Sequence, residues 1–439
     1  MIFEGIPTFL ARARKVGQKK HARSSAARGW RGATLTSCGP STLGAHGRWD
    51  GSVGLRWSGF LAPRTRGCRV LLVILFNILF AAVCPAEEWR AARPDYPWTF
   101  PQDHWAREGY RTEWWYFTGQ LCVEGDSTRW FGYQFTFFRV GTLRERPDLA
   151  SDWAARNLIM GHAAISDLSG GRHLFSEVLY REVPLLAGFN AYPDSLIAWS
   201  RGPAGTDGAW ALRWNGGAFD FEMRDDAQGA AFRLSTRPLK PLIFEGPNGY
   251  SRKGEGPTAA SQYYSFTRLR TEGTLSLEGR TWRVRGESWM DKEFGSNQLG
   301  KDQVGWDWFS LQLDDGREVM LYLLRDAAGE VDFARGTLVT ATGEARYLTR
   351  EAWRVQATAT WKSPHTGATY PARWVVELPG EGLRLEVAPE LADQENRGRL
   401  AGGLFYWEGA VSVKNSGGAR IGRGYVELTG YGTKNRPGI

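Results

Sequence analysis

From about residue 111 onward the chain reads as short runs of aromatic and β-branched residues, each ended by Gly, Asp or Asn. Such runs, too short and too alternating for helices, predict strands. The pattern places strands at 111–122, 130–140, 157–168, 209–214, 219–223 and 231–236. After a Gly/Pro-rich stretch at 246–257 it places more at 262–269, 273–277, 281–290, 306–313, 318–325 and 334–340. The series ends with 353–361, 373–378, 383–387, 403–413 and 421–428. Helical periodicity is scarce, with 147–156 and 389–397 the two short candidates. Many closely spaced strands predict an all-β protein built as sandwiches or barrels.

A faint repeat suggests two such bodies. Trp114-Trp115-Tyr116-Phe117-Thr118-Gly119-Gln120-Leu121 lines up with Trp306-Asp307-Trp308-Phe309-Ser310-Leu311-Gln312-Leu313. Each segment precedes a second strand ending in Phe-Phe-Arg139 or Leu-Leu-Arg325. The expectation is one β domain over residues 95–284 and a second over 285–437, packed side by side.

The first part of the chain has a different character. An apolar run at 70–83, broken only by Asn77, follows Arg64, Arg66 and Arg69 and precedes Cys84-Pro85-Ala86. It falls short of the roughly 20 residues of a membrane span. Charged, apolar and small-residue segments in that order predict a secretory signal over 64–86, cut near Ala86, with an uncleaved inner-membrane anchor as the alternative. Residues 1–69, rich in Arg, Gly, Ser and Ala, are expected to be a disordered basic extension or the product of a mis-set start; residues 70–86 form the signal's apolar region.

Charge follows the same division. The net +8, from 55 Lys and Arg against 47 Asp and Glu, separates into +11 for residues 1–69 and −3 for residues 87–439. A mildly acidic body removes the reason to expect nucleic acid as a partner. Of the four cysteines only Cys122 lies in that body, so no internal disulfide is expected there. His104, His162, His173 and His365 are scattered, and no zinc, P-loop or dinucleotide motif occurs, so no metal or cofactor is expected.

Eighteen of the 21 tryptophans lie in the body. They fill wide β cores or, beside ionisable groups, line a pocket for an apolar ligand. Three clusters combine the two features. In Glu113-Trp114-Trp115-Tyr116, Glu113 and Trp115 share one strand face and Trp114 and Tyr116 the other. Glu113 is either solvated at a strand end or buried against an Arg such as Arg139. The second cluster runs from Gly286 to Trp308 and holds five acids and three tryptophans in 23 residues. The third pairs Phe405-Tyr406-Trp407-Glu408-Gly409 with the run from Gly424 to Tyr431.

Ser288 lies in GESWM rather than GxSxG and has no evident His partner, which leaves a secreted hydrolase as a weak reading. Asp291 is the better candidate. A carboxyl desolvated by rings has a raised pKa and stays protonated near neutral pH, and ring faces stabilise a developing cation. Those are the requirements for protonating an alkene and capturing the cation with water. The plainer alternative makes Asp291 a loop carboxylate paired with Lys292 or capping a turn.

These residues resemble a known family. EWWYFTGQL at 113–121, the run 131–139, YYSFTRL at 263–269, GESWMDKEFG at 286–295, 305–313 and 424–431 are similar, in the same order, to the AttH / carotenoid 1,2-hydratase (hydroxyneurosporene synthase) family. The resemblance covers roughly residues 95–437. It implies two lipocalin-like β-barrel or sandwich domains with a cleft between them, and cofactor-free addition of water to an acyclic carotenoid end. The hydratases' proposed proton donor corresponds to Asp291. They carry Tyr where Trp289 stands, and a His-x-Trp pair where this chain has Gln262-Tyr263-Tyr264.

The expectation is therefore a secreted or periplasmic protein holding an isoprenoid- or lipid-like ligand near the domain junction. Asp291 would be catalytic, and Trp289, Trp306, Trp308, Tyr264, Glu113, Trp115 and Tyr406 would bind the ligand. The rival is a non-catalytic lipid carrier serving an ABC exporter, an association that some family members have.

Overall fold

In the computed structural model, residues 88–256, 258–400 and 402–432 are described. The expected basic extension and signal lie outside them. Among the described residues no helix is long and apolar enough to cross a membrane.

Two antiparallel sheets hold the strands. The main path of the first runs, side by side, through Arg172–Arg181, Asn157–Asp167, Asp126–Gly141, Thr112–Val123, Arg280–Asn297, Ala260–Leu277, Ala230–Pro238, Phe219–Asp225, Ala209–Trp214, Leu196–Arg201 and Ala187–Phe189. A bridge between Val183 and Ala187 and a hydrogen bond from Tyr180 Oη to Gly202 O (2.7 Å) link its two ends, so the sheet nearly closes into a barrel. The second runs through Ala345–Leu348, Val331–Val339, Glu318–Asp326, Gln303–Leu313, Arg420–Leu428, Phe405–Lys414, Leu383–Pro389, Thr369–Leu378 and Arg354–Lys362.

Both paths share one plan. In each, the first strand lies between the second strand and the last, so Thr112–Val123 and Gln303–Leu313 occupy equivalent places. The eight-residue repeat is thus the trace of a duplicated topology. The expected junction at residue 285 moves, because Arg280–Asn297 is one strand belonging wholly to the first sheet. The chain passes to the second sheet between Asn297 and Gln303. Neither helix candidate forms: 147–156 is irregular, and Glu395–Arg397 is a short strand against Phe405–Trp407.

Each sheet encloses its own apolar interior. Phe135 stacks on Phe221 in the first (centroids 4.9 Å apart), and Phe309 meets Trp374 edge-on in the second (5.5 Å). A third cluster, including Tyr116, Tyr263, Trp289, Trp308, Met320, Tyr322 and Tyr425, fills the space between the sheets. The central strands are consequently covered on both faces. In Thr112–Val123 every residue from Trp115 to Leu121 is buried, so the in/out alternation of a half-exposed strand is lost.

The duplicated glutamines join the domains reciprocally. Gln120 Nε2 donates to Val411 O (2.9 Å) and Gly424 O (3.1 Å) of the second sheet. Its counterpart Gln312 donates to Thr267 O (2.7 Å) and Ser288 O (3.0 Å) of the first. This exchange is what a pseudo-two-fold axis between duplicated halves requires. Gln120→Ala would strip a donor from two carbonyls at a buried interface; we expect a loss of about 1–3 kcal/mol in urea unfolding. An unchanged midpoint would show that the clamp contributes nothing.

Candidate functional site at the domain junction

Asp291 lies in the middle of Arg280–Asn297, not in a loop, and its cross-strand neighbours are Tyr116 on one side and Ser265 on the other. Alternation sends Trp289, Asp291 and Glu293 toward the second domain, and Met290, Lys292 and Phe294 into the first. The suggested pairing of Asp291 with Lys292 therefore fails, since Lys292 projects to the opposite face and binds Glu113.

Three donors hold the Asp291 carboxylate: Ser265 Oγ (2.5 Å) and Trp289 Nε1 (2.7 Å) on Oδ1, and Tyr263 Oη (2.8 Å) on Oδ2. The residue is 3 % exposed. Burial raises its pKa to about 7 against the pull of those three donors, with a smaller upward push from the charge of Glu293. Asp291 is thus divided between acid and carboxylate at neutral pH. Glu245 lies close by, raised to about 8 by burial and by Asp291's charge; its Oε2 accepts from Thr337 Oγ1 (2.5 Å). Glu293 is neutralised by Lys253 (2.9 Å) and bonded by Ser261.

The second sheet presents a matching row. Tyr116 corresponds to Trp308 in the repeat, and Trp308's partner on the last strand is Glu427, as Tyr116's is Asp291. Glu427 stands directly opposite Glu408 on the adjacent strand. Trp306 Nε1 donates to Glu427 Oε2 (3.0 Å), as Trp289 does to Asp291. Tyr116 Oη donates across the junction to Glu408 Oε1 (2.6 Å). Burial raises Glu427 to about 7, and burial with the facing charge of Glu427 raises Glu408 well above the ordinary range. The rings of the two rows touch: Trp308 meets Trp289 (6.1 Å) and Tyr116 (5.2 Å) edge-on.

Of the expected ligand-binding residues, Trp289, Trp306 and Trp308 surround this row. Tyr406 also faces the junction, its hydroxyl bonded to His162 Nδ1 (2.8 Å) and Gln134 Nε2 (3.2 Å). Tyr264, Glu113 and Trp115 do not join them. They lie on the opposite faces of their strands, inside the first barrel, where Tyr264 Oη meets His104 Nδ1 (2.6 Å) and Trp115 Nε1 donates to His104 O (2.7 Å). Glu113, either solvated or buried on sequence grounds, is buried, between Arg139 and Lys292. Tyr263 and Ser265, one position either side of Tyr264, and Glu245 were missed, while Tyr116, Glu408 and Glu427 lie in the first and third aromatic clusters of the sequence but carry no expected role there.

A cavity of about 100 Å³ lies beside the row, between the two sheets, with Thr118, Gln120, Trp289, Ser310, Gln312 and Tyr425 among its lining residues. It accommodates a few water molecules, each needing roughly 30 Å³.

Comparison with known proteins agrees with this architecture. No curated protein matches the sequence. A crystal structure from Nitrosomonas europaea, assigned to AttH, is 31% identical with TM-score 0.68, covering 78% of this chain and 99% of that one. Kievitone hydratase from Nectria haematococca shares the fold at 14% identity and TM-score 0.54, covering 78% of this chain and 96% of the other. The AttH-like family model matches residues 91–431. With that match spanning both sheets, the chain belongs to the AttH-like family.

Proposed function

We propose that this protein binds an apolar, unsaturated ligand of isoprenoid or lipid type at the domain junction and adds water to it, Asp291 delivering the proton. The observation that carries this reading is a carboxyl group, buried among tryptophan and tyrosine rings, whose pKa of about 7 keeps a proton available at neutral pH. Protonation of a trisubstituted double bond leaves a tertiary cation, which the faces of Trp289 and Trp308 would stabilise. Water then closes the sequence without any cofactor. The fold shared with a protein named as a hydratase supports water addition as the chemistry. Because Asp291 is enclosed, entry requires side chains at the junction to part. The basic, apolar and small-residue order of residues 64–86 supports export as the route to its place of work.

The test is incubation of the purified chain with an acyclic isoprenoid in oxygen-labelled water. We expect a labelled tertiary alcohol, and a fall of at least about 100-fold with Asp291→Asn. Tight binding without turnover would replace the enzyme by a carrier. Labelling of Ser288 by a serine-reactive probe would replace it by a hydrolase.

A further inference from the structure

Hydration needs one group to give a proton and another to take one, and Asp291 supplies only the first. We infer that Glu427, paired with Glu408, is the second catalytic group of the same centre, the base that takes the proton from the attacking water. The inference rests on the hydration reading above.

Three observations on geometry lead to it. First, duplication makes Glu427 the counterpart of Asp291. Each stands on the last strand of its sheet, opposite the repeat-matched Tyr116 or Trp308, and each accepts an indole N–H on the junction side. Second, Glu408 and Glu427 are direct cross-strand partners, which places their Cβ atoms roughly 5 Å apart, Glu408 buried and Glu427 half-buried. Two carboxylates so close in a low-dielectric site do not both ionise, so the pair retains a proton and one carboxylate. Third, Glu408 is 1 % exposed, and while Oε1 accepts from Tyr116, Oε2 has no protein partner. Thr118 Oγ1, on the same face as Tyr116 and lining the cavity, is likewise buried and unpartnered. Buried polar atoms without partners are costly, and they mark where a water or polar ligand atom is received.

The reaction balances with these groups alone. The Asp291 O–H bond breaks as a C–H bond forms and the alkene π bond is lost. The water oxygen then forms the C–O bond while one of its protons passes to the Glu427 carboxylate. One proton leaves Asp291 and one arrives at the pair, and exchange with solvent resets both between turnovers.

The two acids are separable because they serve different steps. In deuterated water, cation formation followed by return of a proton to Asp291 puts deuterium into recovered alkene even when no alcohol forms. Glu427→Gln, which keeps an acceptor for Trp306, is expected to cut alcohol formation at least about 100-fold while deuterium exchange persists. Asp291→Asn should abolish both. Glu408→Gln should lower alcohol formation and shift the pH profile of kcat, because it removes the facing carboxyl group. Alcohol formation within threefold of wild type in folded Glu427→Gln would overturn the assignment, and so would parallel loss of exchange and alcohol. If the wild-type chain shows neither exchange nor alcohol, the hydration reading itself fails and takes this assignment with it.

Discussion

Replacing Glu113 with alanine is expected to cost about 3–5 kcal/mol and to leave little folded protein at 37 °C. Glu113 is fully buried, with Arg139 on one oxygen and Lys292 on the other, and both cations are fully buried as well. Burial alone would push its carboxyl up, but Lys292 and then Arg139 outweigh that and hold it below its usual value. Arg107 N adds hydrogen bonds to Oε1 (2.9 Å) and Oε2 (3.0 Å). Arg139 itself donates to Tyr110 O (2.7 Å) and to Asn157 Oδ1 (3.1 Å), and Lys292 lies 3.6 Å from the centre of the Trp115 ring. Removing the carboxylate strands two desolvated cations, which is worse than losing the pair together. Lys292, pushed down to about 8 by burial despite Glu113, would shed its proton in the variant. The comparison to make is Glu113→Ala with Glu113→Gln in urea melts. Glutamine keeps the shape and one acceptor, so it should lose less; equal, small losses would show that the triad is not a stabilising element.

That the triad and the candidate row share two strands, Thr112–Val123 and Arg280–Asn297, explains what sequence alone could and could not reveal. The strands were legible from aromatic and β-branched runs, and the pairing of Trp114–Leu121 with Trp306–Leu313 pointed to duplication. Side-chain period in a strand is two, however, so an error of one residue exchanges the barrel interior for the junction. Tyr264 was expected at the site and Tyr263 is there; Glu113 and Trp115 were expected and Tyr116 is there. With both faces buried, neither polarity nor alternation distinguishes the two sides, and only the pairing partner does. The same double burial hid the second half of Arg280–Asn297, because GESWMDKEFG carries polar residues on a face that turns toward another domain instead of water. Glu427 could have been found from the repeat, since Trp308 matches Tyr116, but only after the register to the last strand was known.

Stability of the wild-type protein is expected to fall gently from about pH 4 to 6.5 and more steeply as pH rises to 8. Asp291 and Glu427, raised to about 7, Glu245, raised to about 8, and Glu408, raised well above its ordinary value, bind protons more tightly folded than unfolded. Their contribution is complete below the ordinary carboxylate pKa near 4 and is lost as pH rises through 7 and 8. His104 and His162, lowered to about 3 by burial, and His173, lowered to about 4 for the same reason, act in the opposite sense. Their contribution is complete above pH 6.5 and is lost as pH falls. Between 4 and 6.5 the histidines offset part of the loss; above 6.5 only the acids remain. For Asp291 the shift of about three pH units is worth about 4 kcal/mol, at about 1.4 kcal/mol per unit. Asp291→Asn removes that term, because an amide has no charge to desolvate, yet keeps an acceptor for Ser265 and Trp289. The variant should therefore be inactive but more resistant to urea than wild type at pH 8, with the advantage shrinking toward pH 5. Such an exchange of stability for activity is expected where a site keeps a charge that its surroundings disfavour. Parallel stability curves for the two proteins from pH 5 to 8 would mean that Asp291 ionises in the fold as readily as in water, and the acid role assigned to it would go with that result.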